Sequence, residues 1–234
     1  LEAKDLQIES DGSFEIVVST REQPGNWLPM QPETRLVQIR QTRMDHAGEV
    51  LAKVQIERTD GPGQPRPLDP ARIDRMLQAS AGFVTGCATI FAGWARDFEA
   101  HVNELPRFDP DRAFAAGGDP NIAYYHSYWK IEPDEALVVE ATPPECDYWN
   151  FQLANHWLES LDYRYFPIHT NPHLAQAEPD GTIRIVVARE NPGVPNWLDT
   201  CGHTRGTMCW RWIRAVSHPQ PSTRLVKLED LRRG

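Results

Sequence analysis

The sequence predicts a mainly β protein built from jelly-roll-like antiparallel β-sandwich units, the first truncated, with a helical insertion between them. Three observations predict it. The segment Asp11-Gly12-Ser13-Phe14-Glu15-Ile16-Val17-Val18 returns as Asp180-Gly181-Thr182-Ile183-Arg184-Ile185-Val186-Val187. Each copy then runs through a Pro/Gly turn into Asn-Trp-Leu, at Asn26-Trp27-Leu28 and at Asn196-Trp197-Leu198. Between the copies lies an uncharged stretch, residues 76–95, whose apolar positions follow helical spacing. A repeat this long implies two copies of one structural unit. What both copies share is expected to be architecture, and what one carries alone is where function is sought. The expected organisation is a partial first β unit over residues 1–60, a linker and helical segment over 61–120, and a second β unit over 121–234.

In chain order, residues 14–19 are β-branched and bounded by Asp11-Gly12 and Pro24-Gly25, which predicts a strand. Residues 36–42 and 51–57 read as strands by the same pattern. Residues 59–67 hold Gly61, Pro62, Gly63, Pro65 and Pro67 and form a linker. Asp69-Pro70 opens a helix, Asp as N-cap and Pro at the first helical position. Ile73, Met76, Leu77, Phe83, Val84, Ile90, Phe91 and Trp94 continue it. Its uncharged part has the length of a membrane span. Gln78, Ser80, Thr85, Thr89 and three glycines dilute it, so a helix (or two) buried against the sheets or a partner subunit is expected, and no membrane span. Gly82 and Gly86 share a face where a second backbone could approach. Residues 105–120 are rich in Pro, Gly and Asp and read as a loop. Strands are expected over 122–131, 136–142, 147–157, 182–189 and 207–215, parted by turn signals such as Pro143-Pro144 and Asn191-Pro192-Gly193.

The bulk chemistry excludes some functions. A net charge of −9 argues against nucleic acid as a partner, because a phosphate backbone requires a basic face. Cys87, Cys146, Cys201 and Cys209 are too sparse for a disulfide scaffold of this size, so reduced thiols and a cytoplasmic location are expected. The second copy of the motif follows about fifty strand-like residues and the first follows ten, so the chain is expected to begin inside its first unit, within a longer protein whose leader, if any, is out of view. Walker, Gly-x-Ser-x-Gly and Gly-x-Gly-x-x-Gly signatures are absent, and no cofactor is expected.

The residues Asp180-Gly181, then Pro192 to Asp199 with Asn196-Trp197-Leu198, then Gly206-Thr207-Met208-Cys209-Trp210-Arg211-Trp212 resemble the bacterial family known as domain of unknown function 1214. Trp149-Asn150-Phe151-Gln152-Leu153 fits an aromatic-rich strand of the same pattern. The likeness covers about residues 124–215 well and 11–43 as a partial copy. It implies the jelly-roll-like sandwich and an oligomer, and it supplies no activity and no catalytic residues.

Trp27 and Trp197, with the asparagine before each, occupy matched places and read as scaffold: Asn sets the turn and Trp plugs the sandwich end. Arg40 and Arg211 are matched and read the same way. The unmatched residues are the candidates. Alternation puts Tyr124, His126, Tyr128 and Lys130 on one face of the first strand of the second unit. In the strand after it but one, Trp149, Phe151, Leu153, Asn155 and Trp157 form a core face, and Tyr148, Asn150, Gln152, Ala154 and His156 the other. If the two polar faces line one side, Tyr124, His126, Tyr128, Asn150, Gln152 and His156, with His203, could line a pocket for a small polar ligand. The competing reading of that face is a solvated surface.

Metal chemistry is weakly signalled. Pro172 interrupts His169 and His173, and Cys201-x-His203-x5-Cys209 lacks the paired spacing of structural zinc sites, so no metal is expected. Cys201 with His203 could form a thiol and its base, though proximity in sequence is poor evidence for it. Two function classes remain: a small-ligand enzyme or binding protein using the Tyr124/His126/His156 face, or a non-catalytic homo-oligomeric assembly protein.

Overall fold

The computed structural model describes residues 1–61, 63–64 and 67–233. It contains three sheets and one long helix, and it divides into two compact units, Leu1–Thr42 and Arg43–Gly234.

In the first unit, β1 (Val17–Ser19) pairs in parallel with β2 (Trp27–Pro29). The turn before β1 forms because the Asp11 carboxylate accepts the Ser13 N–H at 2.9 Å and Gly12 takes a left-handed φ of +86°. Asn26 ties three segments together: its Nδ2 donates to Gln7 O at 2.8 Å and Glu15 O at 2.9 Å, and its Oδ1 accepts Gln7 N–H at 2.7 Å. The Trp27 indole donates to Ser19 O at 3.2 Å.

In the second unit, α1 (Pro70–Phe98) begins as its sequence predicts, with the Asp69 carboxylate accepting the Ala71 N–H at 3.2 Å. Its packing corrects one of the two expected settings, a helix buried against the sheets. Only Ala95 and Phe98 are buried, and Phe83 is 73% exposed. At ~1.5 Å per residue the helix runs ~43 Å, so only its C-terminal end reaches the sheets. Residues Pro70–His101 are long and apolar enough to cross a membrane by length and composition only, which is weak evidence and no clear span. A second helix, α2 (Pro110–Ala115), lies in the stretch read as loop. It uses the same device, Asp109 accepting the Asp111 N–H at 2.9 Å ahead of Pro110.

The remaining strands are β3 (Ile122–Lys130), β4 (Glu135–Ala141), β5 (Tyr148–Ala154), β6 (His169–Thr170), β7 (Ile183–Ala188), β8 (Trp197–Asp199), β9 (Arg205–Ile213) and β10 (Ser222–Lys227), followed by α3 (Leu228–Arg233). They form two sheets, ordered β10-β4-β7-β8 and β3-β9-β5-β6. Pairing is antiparallel except β7 with β8, which is parallel, so the Asn-Trp-Leu segment ends a crossover and no hairpin. One buried cluster takes side chains from both sheets: Leu137, Val139, Ile185 and Val187 from the first, and Tyr125, Trp129, Trp149, Phe151, Leu153, Trp210 and Trp212 from the second. The outer face of the first sheet is covered as well, with Ala136, Val138 and Val186 packed beneath Leu228 and Trp197. Burial on both faces explains the continuous apolar runs at residues 136–139 of β4 and 185–188 of β7.

The second unit holds its crossover by the same bonds as the first. Asn196 Nδ2 donates to Gln176 O at 2.8 Å and Arg184 O at 2.9 Å, its Oδ1 accepts Gln176 N–H at 2.8 Å, and the Trp197 indole donates to Ala188 O at 3.1 Å. Trp197 is half-buried against the outer cluster, where it braces β7.

Residues 36–42 and 51–57 form no strand, which corrects the sequence reading. Leu36 is 76% exposed and Ile56 85%. A strand needs a neighbour to bond to, and alternation of apolar residues does not provide one. Trp157 is a second correction: it leaves the core face assigned to it and is 56% exposed, because β5 ends at Ala154 and the chain turns at Asn155.

Candidate functional site

The outward face of β3-β9-β5-β6 carries most of the predicted residues, because strand alternation sends Tyr125 and Trp129 into the core and Tyr124, His126 and Tyr128 out. Register then builds rows across the sheet. Tyr124 faces Arg211, which faces Asn150. His126 faces Cys209, which faces Gln152, which faces His169. β3 and β5 are thus separated by β9, so His126 and Gln152 are ~10 Å apart, on one face with Cys209 between them.

Both edges of this face are roofed. On the β3 side, Phe98 from the end of α1 stacks on His126 with ring centres 5.3 Å apart, Tyr124 stacks on its other side at 5.7 Å, and Phe108 meets it edge-on at 5.2 Å. On the β6 side, His46 lies 5.4 Å from His169 and 6.0 Å from Tyr163. The buried Asn171 brings this turn in: its Nδ2 donates to Met44 O at 2.9 Å while its Oδ1 accepts the His173 N–H at 2.9 Å. Between the roofs, half-buried Arg211, Asn150 and Gln152 share the outward face.

Burial sets the chemistry of the imidazoles. It pushes His126 down to about 3, and the Arg211 charge adds to the effect. His169 is lowered by burial and then by His46. Both rings are therefore neutral near pH 7 and act as hydrogen-bonding groups. His126 Nε2 lies 3.6 Å from the Cys209 sulfur, while His126 Nδ1 and His169 Nε2 are buried without a hydrogen-bond partner among the described residues.

The other predicted residues fall as follows. Tyr128 and His156 are brought together, hydroxyl to Nδ1 at 2.8 Å, with Glu99 3.8 Å from the same nitrogen. They form a pair of their own, beyond the His126 row. His203 sits exposed in the turn between β8 and β9, outside the strands of this face. Cys201 beside it is pushed up to about 11 by burial and then by Asp199, which opposes a reactive thiolate. Among the described residues no group of three or more His, Cys, Asp or Glu could hold a metal ion.

Arg211 is the residue that sequence reading passed over. Its match to Arg40 marked it as scaffold, yet it stands mid-face, donating to Asn150 Oδ1 at 3.2 Å with its guanidinium 5.9 Å from the Tyr124 ring centre. His46 and Phe108 also escaped notice. The only available signal for them was aromatic or imidazole character, Phe108 in a segment read as loop and His46 between two segments read as strands of the first unit.

Comparison with known proteins adds fold and kinship. The family model described as "Protein of unknown function (DUF1214)" matches residues 1–41 and 134–215. The crystal structure of an uncharacterised protein from Burkholderia cenocepacia is 46% identical, with a TM-score of 0.92, and the match covers 98% of this chain and 64% of that one. This chain therefore spans about 64% of the length of that relative. A structure of a Vibrio parahaemolyticus protein matches at 16% identity and a TM-score of 0.40, over 50% of this chain and 34% of that one, too remote to bear on fold or function. No curated protein matches the chain.

Proposed function

We propose that this chain, which belongs to the DUF1214 family of proteins of unknown function, binds a small polar ligand in a trough on the outer face of β3-β9-β5-β6. One observation carries the reading. Two imidazole nitrogens at either end of one row, His126 Nδ1 and His169 Nε2, are buried with no partner among the described residues. Buried polar groups are nearly always bonded, so an orphaned pair on one face is what a site awaiting its ligand leaves behind. Aromatic walls and amide floor groups fit a planar polar molecule. The reading includes a jelly-roll-like sandwich for the second unit, supported by the core shared between its sheets, and an origin by duplication, supported by the matched Asn26 and Asn196 bonds. It includes a reducing compartment, supported by the unpaired cysteines. The test is a polar-fragment screen followed by NMR of labelled histidines. Shifts confined to His126, His169 and the amides of Asn150 and Gln152 are expected. Fragments that bind elsewhere, or none at millimolar concentration, would sink the reading.

A second reading is a homo-oligomeric assembly through α1, favoured by its exposed apolar residues Met76, Leu77, Phe83 and Val84. Sedimentation velocity tests it: concentration-dependent association, abolished by Phe83→Glu, is expected, and a monomer at all concentrations rejects it.

A further inference from the structure

Arg211 differs from those surface arginines of the second unit that find carboxylates, such as Arg184 with Glu140 at 2.7 Å, Arg232 with Glu190 at 2.9 Å and Arg164 with Asp162 at 2.9 Å. Arg211 is half-buried at the centre of the trough and makes no ion pair with any described residue. Its one hydrogen bond, to Asn150, uses one of five donors. Of the chain's 33 acidic residues, none among those described lies within ion-pairing distance of this cation, although Glu49 acts with it on Tyr148. A half-buried guanidinium without a counter-charge is unfavourable, and its planar fork matches a carboxylate in two parallel bonds. Beside it the Tyr124 ring offers a flat apolar surface stacked in series with His126. The cation acts on its surroundings: it contributes to the shifts of His126, Cys209 and Tyr148.

We infer that the ligand of this trough is a planar carboxylate, its anionic end taken by Arg211 and its ring laid against Tyr124. The inference rests on the ligand-binding reading above and adds the chemical class. A competing role for Arg211 is a strut between Asn150 and Tyr124, which would make it indifferent to the charge of a ligand.

Benzoate, its neutral isostere benzamide, and inorganic phosphate separate these outcomes by isothermal titration calorimetry on the whole chain. Benzoate is expected to bind at least about tenfold more tightly than benzamide, the scale of one charge-assisted pair. Arg211→Gln is expected to remove that advantage. Asn150→Asp provides an independent variant should Arg211→Gln fail to fold. It sets an internal carboxylate where Asn150 Oδ1 already accepts from Arg211, and is expected to weaken benzoate at least about tenfold more than it weakens benzamide. Benzoate and benzamide binding equally in the trough, or phosphate binding more tightly than benzoate, would overturn the carboxylate and leave the ligand site standing. No probe perturbing the trough at all would overturn both.

Discussion

His126 is enclosed between Phe98 and Tyr124 and stays neutral down to a pH of about 3. The unfolded chain takes up a proton on this residue near pH 6.5, its ordinary value, which the folded chain refuses. Stability therefore falls as pH is lowered from about 6.5 toward 3, with a slope of at most about 1.4 kcal/mol per pH unit from this one group. Denaturant midpoints measured from pH 7 to pH 4 should show that slope in the parent chain and a shallower one in His126→Phe, whose ring keeps the stack. Equal slopes would mean that His126 is hydrated. A second residue-scale prediction concerns Gly206. A Cβ there would meet the Ala154 carbonyl oxygen and lie 2.9 Å from the Trp129 ring, both fixed in the sheet. Gly206→Ala should cost about 1–3 kcal/mol in urea unfolding. At this scale the chain was readable in part: alternation placed Tyr124 and His126 together, but nothing local to Arg211 tells a strut from a site.

At the scale of elements, the Asn196 crossover is the feature whose loss should be felt furthest. Its side chain bonds two segments, and its own backbone sits at a left-handed φ of +54°. Asn196→Ala removes those bonds and strains the backbone, and should destabilise by about 2–3 kcal/mol. Asn196→Gly loses the bonds but relieves the strain, and should recover part of that loss in the same unfolding measurement. If Ala and Gly variants are equally stable, the backbone contributes nothing. The Asp-Gly turn was visible in the sequence because its bond is local, and the Asn-Trp-Leu motif because it recurs, although the Asn196 side chain bonds to residues as far away as Gln176. That β7 and β8 run parallel was not visible, since the direction of a crossover depends on where its ends are held. The strands expected over residues 36–42 and 51–57 failed for the converse reason: their pattern is apolar enough, but no strand ladder forms there among the described residues.

For the whole molecule, the charge of −9 and the exposed face of α1 make opposing demands, one favouring solubility and the other association. Raising the salt concentration should therefore increase any self-association seen by light scattering, because it screens repulsion and leaves apolar contact intact. Association that weakens with salt would point to charged contacts away from α1. Turns, caps and strand faces were legible from the amino-acid order, because each depends on residues within a few positions: Asp69 before Pro70, Asp180 before Gly181, and the alternation through His126. The full surround of the proposed site was not legible. It depends on β9 inserting between β3 and β5, on Asn171 drawing in the turn at Met44, and on the end of α1 laying Phe98 over His126. Those contacts join residues far apart along the chain, and their geometry is set by how the sheets pack, which no local pattern encodes.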